Sequence, residues 1–152
     1  MCGIAGICGK NHFDFINILN DSLTHRGPDD SGVYSIKDKN ISIAMKRLSI
    51  IDLKHGQQPM VDSESQNIIV FNGEIFNASQ LRNALLKENI RFKSNNSDTE
   101  VILKLYARYG SEMLNLLNGM FAFAIYDKKK NNIFIARDRA GIKPLYYYNK
   151  NE

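Results

Sequence analysis

An α+β fold with mainly antiparallel pairing is what this sequence predicts, and three observations predict it. Short apolar strand patterns occur in adjacent groups and do not alternate strictly with helices. Polar turn signals separate neighbouring strand patterns, at Asp38-Lys39-Asn40 and at Lys128-Lys129-Lys130-Asn131-Asn132. Two capping-box patterns, Asn77-Ala78-Ser79-Gln80 and Ser97-Asp98-Thr99-Glu100, open helical spacings between the strand groups.

The elements follow in chain order. Gly3-Ile4-Ala5-Gly6-Ile7 is a small-residue apolar run suited to a buried strand. Phe15, Ile16, Leu19 and Leu23 recur at helical spacing, so residues 13–23 read as a helix with one apolar stripe. His25-Arg26-Gly27-Pro28-Asp29-Asp30 breaks it. Residues 32–36 and 41–45 alternate as a hairpin, 47–51 continue as strand, and 56–59 form a loop. Residues 68–71 are a strand running into Asn72-Gly73, with Glu74-Ile75-Phe76 beyond it. Leu81, Ala84 and Leu85 share one face of the first capped helix. Val101, Ile102, Leu105 and Tyr106 share one face of the second, which Gly110 is placed to end. Residues 120–126 and 133–136 are apolar strands joined by the lysine turn.

At 152 residues, 43% hydrophobic and 24% charged, the chain fits one globular domain with one core. Disordered, collagen-like and disulfide-rich classes are excluded. The longest apolar run, 120–126, is far short of the ~20 residues that a spanning helix needs. Met1-Cys2-Gly3 places no basic residue before a short apolar stretch, so no secretory leader is expected and the reading is cytoplasmic, without a membrane. The net charge of +4 is dispersed, its densest run is the lysine turn, and no nucleic-acid motif accompanies it. Cys2 and Cys8 make no disulfide framework. His12, His25 and His55 lie far apart without metal-site spacing, so no metal is expected.

Four features are open to a chemical reading. Cys2 becomes the first residue if Met1 is removed, which joins a thiol and an α-amine on one residue. An amine of pKa about 7.7–8.0 serves as the base that a thiol of pKa about 8.5 needs, as in N-terminal threonine nucleophiles; the plain alternative is an incidental cysteine. Asn72-Gly73 is a strong short hairpin signal. It is equally a candidate oxyanion hole, with the Asn72 amide and the Gly73 N–H as donors. Arg47 either marks the rim of a strand with Lys46 or captures a carboxylate with its fork. Asp98 either favours a helix dipole or holds an ammonium group.

Taken together, several segments resemble a known family. They are Cys2-Gly3-Ile4-Ala5-Gly6, His25-Arg26-Gly27-Pro28-Asp29, Arg47-Leu48-Ser49-Ile50-Ile51-Asp52 and Phe71-Asn72-Gly73-Glu74-Ile75-Phe76-Asn77. Ser97-Asp98-Thr99-Glu100-Val101-Ile102, Gly119-Met120-Phe121-Ala122-Phe123-Ala124-Ile125-Tyr126-Asp127 and Arg137-Asp138-Arg139-Ala140-Gly141-Ile142-Lys143-Pro144-Leu145-Tyr146-Tyr147 follow in order. The chain resembles the glutaminase domain of class II glutamine amidotransferases, and most closely that of glutamine-hydrolysing asparagine synthetase. The resemblance implies an N-terminal-nucleophile hydrolase fold, a four-layer αββα sandwich of two mainly antiparallel sheets. It implies that Cys2 attacks the side-chain amide of glutamine, that Asn72 and Gly73 form the oxyanion hole, and that Arg47 and Asp98 bind the α-carboxylate and α-ammonium. Glu74 and the backbone around Leu48 and Ile50 would line the same pocket.

The family's domain continues past the Leu145-Tyr146-Tyr147 strand into a synthetase domain with a Ser-Gly-Gly-x-Asp-Ser pyrophosphate loop, which this sequence lacks. The expectation is therefore a glutaminase domain truncated at its C-terminus over residues 1–152. It needs no cofactor of its own, because ATP and magnesium belong to the absent synthetase domain. Expected partners are glutamine and a synthetase domain or subunit that receives ammonia, with homo-oligomers possible. Alternatives are a catalytically silent remnant or binding subunit, and an amidotransferase of sugar or peptide biosynthesis.

Overall fold

Seven strands pair into two antiparallel sheets in a computed structural model that describes residues 2–9, 13–48 and 56–150. The first sheet contains β1 (Gly3–Cys8), β2 (Asp30–Ile36) and β3 (Ile41–Arg47) in the order β1-β3-β2. The second contains β4 (Met60–Val61), β5 (Ile68–Ile75), β6 (Gly119–Asp127) and β7 (Asn132–Arg137) in that order. Every pairing is antiparallel. Helix α1 (Phe13–Ser22) packs on the first sheet; α2 (Ala78–Lys87) and α3 (Asp98–Tyr109) pack with the second.

The alternation of side chains along a strand makes two cores out of β5. Ile68 and Val70 point towards the first sheet and meet Ile41, Ile43 and Met45 of β3. Ile69, Phe71 and Ile75 point the other way, onto Leu85, Val101, Ile102 and Leu105 of the helices. The layers therefore run α1, first sheet, second sheet, α2 with α3. This is the four-layer αββα sandwich that the resemblance implies.

Several local expectations need correction. The buried line of α1 is Ile16 and Asn20, whereas Phe15 and Leu19 are exposed. The helix is rotated so that Asn20 bonds Ser31 Oγ on β2 at 2.9 Å, and Leu23 beyond its end lies against Gly3. The strand expected over 47–51 stops at Arg47; Leu48 is not in it, and residues 49–51 lie outside those described. The Asn77 side chain does not cap α2. It accepts from Asn118 N–H at 3.0 Å and donates to Leu116 O at 2.9 Å, tying the helix entry to the start of β6. Ser97 does cap α3, accepting from Glu100 N–H at 3.3 Å. Helix α3 is buried from Asp98 through Tyr106, not along one face, and Lys104 in its middle meets Asp62 at 2.7 Å. The Leu145-Tyr146-Tyr147 segment forms no strand and exposes its tyrosines, because it has no strand partner among the described residues.

Candidate active site

Asn72 and Gly73 do not make a hairpin. Strand β5 runs straight through them, and a turn would have removed the ladder to β6 that pairs Asn72 with Ala122 and Gly73 with Phe121. The glycine is required for space. A Cβ at Gly73 would lie 2.2 Å from the Met120 carbonyl oxygen and 2.7 Å from Phe121 Cα.

The direction of the Gly73 N–H follows from its neighbours. Phe121 turns both backbone groups away from β5: its N–H donates to Asp138 Oδ2 at 3.1 Å, and its carbonyl accepts from Asp138 N–H at 2.8 Å. Gly73 opposite it is thus a non-hydrogen-bonded partner whose N–H faces the other edge of β5. That edge is covered by β4 only at Ile68 and Ile69. Beyond them, the Phe71 N–H donates to Gln58 Oε1 at 2.6 Å and the Ile75 N–H donates to Asp98 Oδ2 at 3.2 Å. Between two N–H groups met by side chains, the Gly73 N–H points along the same open edge.

This edge borders a cavity of about 160 Å³ between the two sheets and the start of α3. Cys2, Arg47, Leu48, Asn72, Gly73, Glu74 and Asp98 all line it. Ile50, also expected there, lies outside the described residues. Cys2 sits just before β1, packs against the inter-sheet core, and directs Sγ to Leu48 O at 3.7 Å. Asn72 shares the sheet face of Ile68 and Val70, which looks towards the first sheet and Cys2. Arg47 ends β3 and is 5% exposed, and its carbonyl accepts from Asp29 N–H at 3.0 Å.

Asp98, 8% exposed, opens α3 and is fixed by two backbone donors, Ile75 N–H and Thr99 N–H, the latter at 2.8 Å. Burial pushes its carboxyl above the usual carboxylate range. The two N–H groups act against that, and the nearby charge of Glu74 adds to it. The loop ahead of α3 is held as firmly. Glu100 accepts from Lys93 N–H at 2.7 Å and Ser94 N–H at 2.9 Å, and Arg82 donates to Ser94 O at 2.7 Å and Ser97 O at 3.0 Å.

Gln58 and Lys143 line the cavity without having been sequence candidates. Gln58 lies in a loop with no motif of its own and is found only by its side-chain bonds. Lys143 is buried within a segment quoted above for its resemblance and given no role. Its position depends on Asp138, whose carboxylate accepts from Ile142 N–H at 2.8 Å and Lys143 N–H at 3.0 Å as well as from Phe121. Burial raises the Asp138 carboxyl pKa, but these backbone donors outweigh it and hold the group below the usual range.

Of the remaining candidates, His25 bonds Ser22 O through Nδ1 at 3.0 Å on the surface, and His12 and His55 lie outside the described residues. The lysine turn is exposed, with Lys130 N–H donating to Asp127 at 2.9 Å. Among the described residues no cluster of His, Cys, Asp or Glu could hold a metal, and no helix is long and apolar enough to cross a membrane. A larger cavity of about 440 Å³ lies beside Asp138, away from both cysteines.

A family model described as "Glutamine amidotransferase domain" matches residues 1–152. Asparagine synthetase [glutamine-hydrolyzing] 2 of Bacillus subtilis is 42% identical over 97% of this chain and 20% of its own length. Asparagine synthetase B [glutamine-hydrolyzing] of Escherichia coli is 44% identical over 84% of this chain and 22% of its own length. The chain therefore spans about a fifth of the length of these relatives. Among solved structures, the glutamine phosphoribosylpyrophosphate amidotransferase of B. subtilis superimposes with a TM-score of 0.69 at 21% identity, over 94% of this chain and 38% of that one. The shared fold is the N-terminal-nucleophile sandwich.

Proposed function

The chain belongs to the glutamine amidotransferase domain family, and from that premise we propose that it hydrolyses glutamine to glutamate and ammonia with Cys2 as nucleophile. One observation carries the assignment of roles. A thiol, an outward-facing strand-edge N–H, a carboxamide, the buried cations Arg47 and Lys143 and the buried anion Asp98 border a single cavity.

Removal of Met1 frees the Cys2 α-amine. The amine takes the thiol proton, and the sulfur attacks the side-chain carbonyl carbon of glutamine. The resulting oxyanion accepts from the Asn72 amide and from the Gly73 N–H, whose direction the β5 ladder fixes before substrate arrives. The protonated amine returns its proton to the leaving nitrogen, and ammonia departs. Water, deprotonated by the same amine, then cleaves the γ-glutamyl thioester, and glutamate leaves with the thiol restored. At the other end of the substrate, Arg47 receives the α-carboxylate and Asp98 the α-ammonium. Glu74 and Leu48 complete the walls among the described residues.

The chain in this reading is the glutaminase part of an asparagine synthetase-type enzyme. It works in the cytoplasm without a cofactor, and a synthetase domain or subunit uses the ammonia with ATP and magnesium. The test is glutamate release by the chain and by Cys2→Ala and Cys2→Ser, each shown to be folded, with intact mass reporting Met1. Hydrolysis should vanish in both variants. Undiminished release by Cys2→Ala, or full activity with Met1 retained, overturns the nucleophile assignment.

A further inference from the structure

Gln58 touches three elements at the rim of the cavity. Its Oε1 accepts from the Phe71 N–H of β5 at 2.6 Å, and its Nε2 donates to Thr99 Oγ1 in the first turn of α3 at 3.3 Å. Its backbone carbonyl is packed so closely on β2 that a Cβ at Gly32 would lie 2.1 Å from it. The residue therefore ties an outer strand of the first sheet to the open edge of β5 and to the entry of α3.

The two side-chain anchors stand next to the two ends of the substrate path. Phe71 is two residues before Gly73 on the same edge, so a shift of β5 there moves the Gly73 N–H with it. Thr99 follows Asp98 directly. Strand β4 cannot supply this restraint. Its register, Met60 opposite Ile69, would bring residue 58 opposite Phe71, but the strand has already ended there. The carboxamide of Gln58 takes the place of a backbone partner, and β4 does not reach Gly73.

We propose that Gln58 is a positioning residue for glutamine hydrolysis, fixing the separation between the Gly73–Asn72 oxyanion donors and the Asp98 carboxylate; this rests on the glutaminase reading above. Asp98 keeps two anchors of its own, the Ile75 and Thr99 N–H groups, whereas among the described residues the β5 edge at Phe71 has only Gln58. Loss of Gln58 therefore falls on turnover more than on substrate capture.

The experiment compares steady-state glutamate release by the full chain with Gln58→Met, Gln58→Glu and Thr99→Val. Each kcat is normalised to the fraction of Cys2 alkylated by iodoacetamide. Gln58→Met should lower kcat about 10- to 100-fold, the scale expected of an ångström-sized misplacement, with KM changed less than about threefold. Gln58→Glu retains an acceptor for the Phe71 N–H and should recover at least about tenfold of that loss; Thr99→Val should lose about three- to tenfold. A merely structural role would vanish on normalisation and show no rescue. Normalised kcat of Gln58→Met equal to that of the unsubstituted chain overturns the proposal, as does Gln58→Glu being as impaired as Gln58→Met. If Gln58→Met fails to fold, Thr99→Val decides by the same criterion, an unchanged kcat overturning it. Absence of glutamate release by the unsubstituted chain, with Cys2 alkylated normally, instead overturns the glutaminase reading and this assignment with it.

Discussion

Replacement of Gly73 by alanine should damage stability and turnover together. The new Cβ would meet the Met120 carbonyl oxygen at 2.2 Å and Phe121 Cα at 2.7 Å, against the roughly 3.5–4.0 Å of ordinary carbon contacts. Both obstacles are backbone atoms of β6, a strand held on its far side by β7, so β5 must retreat by about 1 Å. The flanking pairs, Asn72 with Ala122 and Glu74 with Met120, are the ones that exchange ladder bonds. Four stretched bonds at about 0.5–1.5 kcal/mol each, only partly lost, and an overpacking cost of about 1–3 kcal/mol give a destabilisation of roughly 2–4 kcal/mol. For a domain of this size that lowers Tm by roughly 5–15 °C. The same retreat displaces the Gly73 N–H from the oxyanion position, and kcat should fall about 100-fold. Thermal unfolding and glutamate release on one preparation measure both. An unaltered Tm with kcat within threefold of the parent would refute the steric argument and the donor role at once.

Two further outcomes follow from the carboxylates. Asp98 must be ionised to hold an ammonium group, and its pKa lies above the ordinary value of about 3.9. The KM for glutamine should therefore rise with falling pH earlier than an ordinary carboxylate would dictate. Glu74→Gln, by removing a like charge, should move that limb to lower pH; a limb that stays in place contradicts the coupling. Asp138→Asn leaves three backbone N–H donors facing an amide with one acceptor oxygen, a loss of about 2–4 kcal/mol by urea unfolding near neutral pH. Because the folded-state pKa of Asp138 is depressed, this contribution is present above the unfolded value and is lost as pH falls through the folded one. The gap between parent and variant should thus narrow below about pH 4, and a gap constant across that range would contradict the charge-based account.

The parts of the fold that were legible are those where one residue's neighbours in sequence decide its fate. The apolar runs in 120–126 and 133–136, the cap at Ser97 and the stop at Gly110 are local signals, and each lies where expected. Asn72-Gly73 misled because its local meaning is a turn while its actual constraint is the carbonyl of Met120, distant in sequence. Asn77 misled similarly, since Leu116 and Asn118 compete for its side chain. In α1 the rotation away from the expected stripe was settled by Ser31 and Gly3 on other strands. Within the site, Cys2, Arg47, Asn72, Gly73 and Asp98 were nominated by residue type and resemblance. Gln58 carried no such mark, because what distinguishes it is the pair of groups its amide bridges. Lys143 was hidden for a related reason: the loop that delivers it is folded around the Asp138 carboxylate, by bonds to the main chain that any residue types would supply.

The brevity of β4 has a consequence for how the chain tolerates change. Had it extended four residues further back as regular strand, it would have zipped against Phe71 and Gly73, turning the reactive margin of the sheet into ordinary scaffold. The molecule forgoes those rungs, so substitutions in residues 56–59 that favour extended backbone, including relief of Pro59, should make the protein sturdier and chemically mute in the same step.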